Sequence, residues 1–342
     1  MILDMNLTEL TEYVKNLQEP AYRAKQLYEG CMLGKNLEEI SNLPKTFKEK
    51  IVNDYPKYEA VAHLVSKDGT QKVALKLADG SIVESVLLKY KYGYTVCVST
   101  QVGCRMGCKF CASTLNGLQR NLSAGEILLQ ILFFNRLLGG TLKERKVTNV
   151  VLMGCGEPLD NYDNVCKFLR LVSDENGLNI SQRNISLSTC GLVPNIYKLA
   201  DDGFTVTLTI SLHAPNDELR KTIMPIANAY SISEILKACD YYFEKTGRRI
   251  EFEYSLIEGV NDGDKEIKQL AQILKGKTCH VNLIPLNSVK EKSLIGVTRK
   301  KAYVLAGKLE KMGINATVRR TMGEDIEGAC GQLRNRIGGK NA

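Results

Sequence analysis

The sequence predicts an α/β protein: a partial (β/α)6 barrel preceded by a small N-terminal helical domain and a β-hairpin extension. Three observations point there. Strand-like and helix-like runs alternate from about residue 95 with short connections, the pattern of parallel βα units. Turn-separated strands precede them, and a helical stretch comes first. The C-terminal ends of five predicted core strands carry small or polar residues, where barrels of this kind place their chemistry.

Residues 1–57 form the helical domain. Leu7–Leu17 and Pro20–Leu33 carry apolar residues at helical spacing, and Pro20 suits a helix start. Leu43-Pro44 opens a third helix through Phe47 and Ile51. Residues 58–94 read as strands: Tyr58–Ser66, Gln71–Leu77 and Ser81–Lys89, separated by the turn pairs Asp68-Gly69 and Asp79-Gly80. In the third strand Glu84 shares a face with Ile82, Val86 and Leu88. A carboxylate among apolar neighbours is a candidate proton carrier; on an edge strand it would simply face solvent.

The barrel spans residues 95–322. Its strands are Thr95–Thr100, Val147–Met153, Asn184–Thr189, Thr205–Leu212, Arg249–Ile257, Cys279–Pro285 and Asn315–Arg319. Its helices are Ser123–Leu138, Asn161–Ser173, Val193–Asp201, Ile232–Thr246, Asp264–Lys275 and Thr298–Met312. Ser123 with Glu126 makes a capping box. Residues 323–342 form a C-terminal segment with several Gly and Ala, suited to a mobile arm.

After the first core strand, Cys104, Cys108 and Cys111 fall within eight residues. Three thiolates this close can hold three irons of a four-iron, four-sulfur cluster and leave the fourth iron open. Zinc would want a fourth ligand and paired spacings. Gly103 and Gly107 allow close backbone wrapping, and Phe110 can shield the site.

The chain has 342 residues, 44% hydrophobic, enough for a sizeable core. Residues 1–60 hold eight Lys/Arg and ten Asp/Glu, so the net charge of +8 lies downstream and allows a polyanionic partner. The absence of a long apolar run or a basic-then-apolar leader makes a cytoplasmic, membrane-free protein the expectation. Its 11 cysteines then point to metal or catalysis rather than structural bridges.

The spacing C-x3-C-x2-C, with an aromatic before the last Cys, resembles the signature of the radical S-adenosylmethionine (SAM) enzymes. Within them the chain resembles the RlmN/Cfr family of RNA adenine methyltransferases. The matching stretches are Cys97-Val-Ser-Thr-Gln-Val-Gly-Cys104, Gly154-Cys-Gly-Glu-Pro-Leu159, Ser211-Leu-His-Ala-Pro-Asn216, His280-Val-Asn-Leu-Ile-Pro285 and Asp325-Ile-Glu-Gly-Ala-Cys-Gly-Gln-Leu333. The resemblance implies one cluster on Cys104, Cys108 and Cys111, with SAM on the open iron. It implies SAM contacts at Gly156, Glu157, Ser188, Ser211, Leu212, His213 and Asn287. Cys330 matches the cysteine that carries a methyl group, Cys97 its resolving partner, and Glu84 the proton acceptor. Cys155 and Cys190 stand where an apolar and a small residue are expected.

The implied reaction methylates C2 of an adenine in 23S rRNA (adenine 2503) and in tRNA (adenine 37), with two SAM per turnover. One SAM methylates Cys330; a radical from the second takes a hydrogen atom from that methyl, which joins the base. Cys97 then releases the product and leaves a disulfide. The alternatives are the sister C8-methylation of the same rRNA base, which confers antibiotic resistance, and a non-catalytic iron–sulfur RNA-binding protein. A flavodoxin-type electron donor and a monomer are expected. The N-terminal domain either binds RNA by shape or covers the core. RNA phosphates would meet Arg105, Lys109, Arg120, Lys143, Arg145, Lys146, Arg319, Arg320, Arg334, Arg336 or Lys340. Cys31, Cys166, Cys239 and Cys279 sit in periodic patterns as small core residues.

Overall fold

The computed structural model describes residues 1–333. Arg334, Arg336 and Lys340 lie outside the described residues. The chain opens with helices α1 (Leu7–Asn16), α2 (Tyr22–Met32) and α3 (Lys45–Ile51). Asn6 caps α1, its side chain accepting from Glu9 N at 2.8 Å while Glu9 reaches back to Asn6 N at 2.9 Å. The apolar faces of these helices join the main core through Leu10, Val14, Leu27, Phe47 and Ile51. The N-terminal segment is thus a cover.

Four antiparallel strands follow: β1 (Tyr58–Val65), β2 (Gln71–Leu77), β3 (Ile82–Tyr90) and β4 (Gly93–Cys97). Asp68-Gly69 and Asp79-Gly80 make the turns, with both glycines at φ +85. A small hairpin, β5 (Gln101–Gly103) with β6 (Leu118–Asn121), brackets the cysteine loop. The alternating part runs α4 (Ala124–Leu137), β7 (Val147–Leu152), α5 (Tyr162–Val172), β8 (Ile185–Thr189), α6 (Val193–Asp201), β9 (Thr207–Ser211), α7 (Asp217–Ile223), α8 (Ile232–Thr246), β10 (Ile250–Leu256), α9 (Asp264–Leu274), β11 (Cys279–Pro285), α10 (Arg299–Lys311) and β12 (Ala316–Val318).

One ten-stranded sheet results, ordered β1-β2-β3-β4-β7-β8-β9-β10-β11-β12. From β4 to β12 every neighbour is parallel. Six βα units therefore carry the barrel part, and the β1–β3 extension continues the same sheet. Ser123 caps α4 as expected, accepting from Glu126 N at 3.2 Å. Asp4 adds a second anion there, accepting from Gly125 N at 2.7 Å.

Two elements escaped the sequence reading. Helix α7 has only seven residues, too few for a legible period. The β5–β6 hairpin is hidden because its strands are short and their partners lie across the cysteine loop. The first core strand is also shorter than expected. Beyond Cys97 the chain turns in, with Gly154 N donating to Val98 O at 3.0 Å and Thr100 N to Cys155 O at 2.8 Å.

Gly103 fixes the start of the cysteine loop. Its φ is +79, and an added Cβ would stand 1.9 Å from Gly117 O on the facing strand end. Gly103→Ala is therefore expected to cost about 1–3 kcal/mol in backbone strain alone. Its iron content after anaerobic reconstitution should fall well below wild type; an unchanged iron content would refute this.

Candidate active site

The C-terminal ends of β7 to β11 and the cysteine loop enclose one cavity, with about 900 Å³ of space outside protein atoms. That suits a cofactor-sized ligand. Cys104, Cys108 and Cys111 line one side. Thr114 Oγ1 donates to the carbonyls of Cys108 (3.2 Å) and Cys111 (2.9 Å), which fixes the loop. Among the described residues no three His, Cys, Asp or Glu side chains converge on one point as a single metal ion requires. Three separated thiols on one cavity fit the corners of a cluster better than a zinc ion. Burial pushes the Cys108 thiol up to about 12 and Cys104 higher still. Metal binding must therefore supply what deprotonates them.

The remaining wall comes from the strand ends. Gly156 sits at φ +112, and a Cβ there would meet Gln101 N at 2.8 Å. Glu157 is buried; its carboxylate accepts from Leu159 N at 3.0 Å and Cys190 N at 2.8 Å. Burial still pushes its carboxyl up. Ser188 Oγ lies 3.3 Å from Ser211 Oγ and donates to Glu253 at 3.2 Å. His213 holds a left-handed backbone (φ +57), packs edge-on against Phe110 at 4.9 Å, and accepts from Ser255 N through Nδ1 at 2.9 Å. An accepting Nδ1 leaves the neutral ring's proton on Nε2. Leu212 is buried and does not line the cavity; its carbonyl accepts from Arg220 at 3.1 Å.

A second cavity adjoins the first. Cys97, Tyr90, Arg319, Arg320, Met322 and Leu333 line it, and Met153, Ile284, Asn287 and Cys330 line both cavities. The fold thus brings Cys97 and Cys330 to one space, with Cys330 at the junction. Asn287 donates to Cys330 O at 3.1 Å. Glu84 lines neither cavity. It is 1% exposed and ion-paired with Lys72 at 3.2 Å, so the solvent-facing alternative is excluded. Lys72 also donates to Glu327 O at 3.2 Å, on the segment that carries Cys330.

That segment is docked where a mobile arm was expected. Asp68 accepts from Gly323 N at 3.0 Å, Ser66 Oγ donates to Asp325 at 2.5 Å, and Ser113 Oγ donates to Leu333 O at 2.8 Å. Three side chains of the site carried no sequence motif. Arg220, fully buried on the unforeseen α7, donates to the carbonyls of Leu212, Cys190 and Ser211. Glu253 on β10 pairs with Arg319, which the sequence offers as a contact for RNA phosphates. Strand alternation could have placed Glu253 inward, since Ser211 faces it across the ladder. Arg105 and Arg120 are tied to Asp160 and to Asp79 and Glu126, so both are used within the protein. Cys155 and Cys190 are buried small residues, as are Cys31, Cys166, Cys239 and Cys279.

The fold and the three-thiol cavity define a radical SAM enzyme, and comparison agrees. The radical SAM superfamily profile matches residues 98–271. A probable dual-specificity RNA methyltransferase RlmN of Clostridium perfringens is 55% identical over 97% of this chain and 96% of its own length. The like-named protein of Lachnospira eligens is 53% identical over 98% and 96%. A radical SAM methyltransferase from Sphaerobacter thermophilus, solved by crystallography, superposes with TM-score 0.93 at 41% identity, covering 98% of this chain and 99% of that one. The chain belongs to the RlmN family of radical SAM RNA methyltransferases. Enzymes of this superfamily use a four-iron, four-sulfur cluster and SAM. Among the described residues no helix is long and apolar enough to cross a membrane.

Burial pulls the His213 pKa from 6.5 down to about 3. Below pH 6.5 the unfolded ring takes a proton that the folded one refuses, so stability is full above that pH and falls below it. The slope approaches about 1.4 kcal/mol per pH unit. Between pH 6 and 5 the urea stability of wild type should fall about 1 kcal/mol more than that of His213→Gln. Parallel curves would refute a buried neutral ring.

Proposed function

We propose that the chain methylates C2 of adenine 2503 in 23S rRNA and of adenine 37 in tRNA through a methyl-cysteine at Cys330. The observation that carries this reading is the placement of Cys330 between the two cavities, with Cys97 in the second. A binding protein would need neither thiol. The names of the relatives support an RNA substrate and favour RlmN chemistry over the C8 reaction.

Adenine C2 is electron-poor and has no lone pair, so direct displacement on SAM is closed. Gly156, Glu157, Ser188, Ser211, His213 and Asn287 surround the SAM space; Gly156 admits the ligand's backbone-close approach, and His213 Nε2–H offers a donor. When bound, the cluster supplies the electron that splits SAM. Cys330 Sγ takes a methyl group by displacement on one SAM. After that methyl loses one hydrogen atom to the fragment of a second SAM, its carbon bonds to C2 of the base; the adduct then gives up the C2 proton and one electron, which would return to the cluster, and the carbon takes up a proton when it is released. Glu84 is the final acceptor of the C2 proton in this reading; it lines neither cavity, so the proton reaches it by a relay, and Lys72 links its carboxylate to the Cys330 arm. Cys97 Sγ attacks Cys330 Sγ, which frees the methylated base and leaves a disulfide. The reading includes a cytoplasmic monomer that draws electrons from a flavodoxin-type donor.

The test is nucleoside mass spectrometry on 23S rRNA lacking the modification, with reconstituted protein, reductant and methyl-deuterated SAM. A 2-methyladenosine retaining two deuteriums is expected, and Cys330→Ala should abolish it. An 8-methyladenosine would make this the sister enzyme. Full activity in Cys330→Ala would end the methyl-cysteine route.

A further inference from the structure

The β3–β4 turn reads Lys89-Tyr-Lys-Tyr92, a basic–aromatic alternation that the chemistry above does not use. Tyr90 ends β3 and lines the second cavity together with Cys97, Arg319 and Cys330. Tyr92 lies flat against it, with ring centroids 5.0 Å apart and planes within 6°. The turn sets this geometry. Tyr90 faces Gly93 across the ladder, so Lys91 and Tyr92 form a two-residue connection. Gly93 has φ +137, and a Cβ there would stand 2.5 Å from Thr148 Oγ1. The backbone is therefore pressed against β7 and holds Tyr92 in place.

The outer face of Tyr92 is uncovered. The residue is 66% exposed, and its neighbour Lys91 and the cavity-lining Arg320 are exposed too. A fixed two-ring stack with one free face and exposed cations beside it is a surface that binds a base of a single-stranded nucleic acid: the face stacks and the cations meet the phosphates. A base that leaves its stack to reach a buried thiol also strips its neighbour of a partner.

We infer that the Tyr90–Tyr92 pair is a stacking platform for the RNA nucleotide next to the target adenine, with its phosphates along Lys91 and Arg320. The inference rests on the proposed RNA methylation. It makes Tyr92 a substrate-binding residue that acts before chemistry. A single free face accepts one base, and any base has a flat face, so the platform contributes affinity with little sequence preference.

The test uses two short RNA hairpins carrying the target adenine, with 2-aminopurine either 5′ or 3′ to it. This probe brightens when unstacked and dims when stacked. Binding to wild type, followed independently by anisotropy, should dim one of the two probes. Tyr92→Ala should remove the dimming and raise the RNA KM about tenfold, with a smaller change in kcat. Tyr92→Phe should restore both. Dimming that persists in Tyr92→Ala, or wild-type binding that brightens both probes, overturns the platform and leaves the methylation reading standing. Wild type that binds neither RNA overturns both.

Discussion

Where the two cavities meet, the buried Glu253 on β10 forms an ion pair with Arg319, half-buried just after β12. The pair ties both sides together. Glu253 accepts from Ser188 at 3.2 Å on the cluster side, and Arg319 contacts Met153 sulfur on the other. Net stability from such a pair is near zero, because desolvation offsets attraction, yet removing Arg319 would leave the buried Glu253 carboxylate without its cation. Its value is geometric: it fixes the shared wall at which Cys330 stands. The nearby Cys330 thiol in turn pushes the Arg319 guanidinium up, so this cation stays charged.

The same economy recurs one cavity over. Burial pushes Cys97 up to about 12 and raises Cys330, and Arg319 pulls both back. Burial raises Cys190 and Cys108, and Arg220 pulls those two back. Each cavity therefore has an arginine beside two of the thiols that line it. A thiolate is the working form both for binding metal and for attacking a methyl or a sulfur. Arg220 meets its own burial by donating to three carbonyls, although burial still lowers its basicity.

Legibility in the sequence followed how local each feature is. The cysteine loop, the glycine turns and the Ser123 cap depend on residues a few positions apart, and all were visible. The parallel order was visible because the period of strand and helix repeats. Arg220 and Glu253 were not, because what defines them is a partner from a different strand end. Glu84 shows the limit well. Its apolar neighbours marked it as buried or edge-exposed, and only the fold reveals that Lys72, two residues along β2 from its ladder partner Ala74, decides between them.

The β1–β3 extension gains a purpose from the same long-range contacts. Ser66, Asp68 and Lys72 all bond the C-terminal arm, and Ser113 holds its far end. Between these anchors, Gly323 and Gly331 take positive φ, which lets the chain turn sharply on either side of Cys330. A net hydrogen bond contributes only about 0.5–1.5 kcal/mol. Freeing Cys330 from Asn287 is therefore cheap, whereas undocking the whole arm means breaking several bonds at once. Small excursions of the thiol between the two cavities are thus separated in energy from loss of the arm. In the proposed reaction, that separation lets Cys330 face SAM and RNA in turn while the segment around it stays in place.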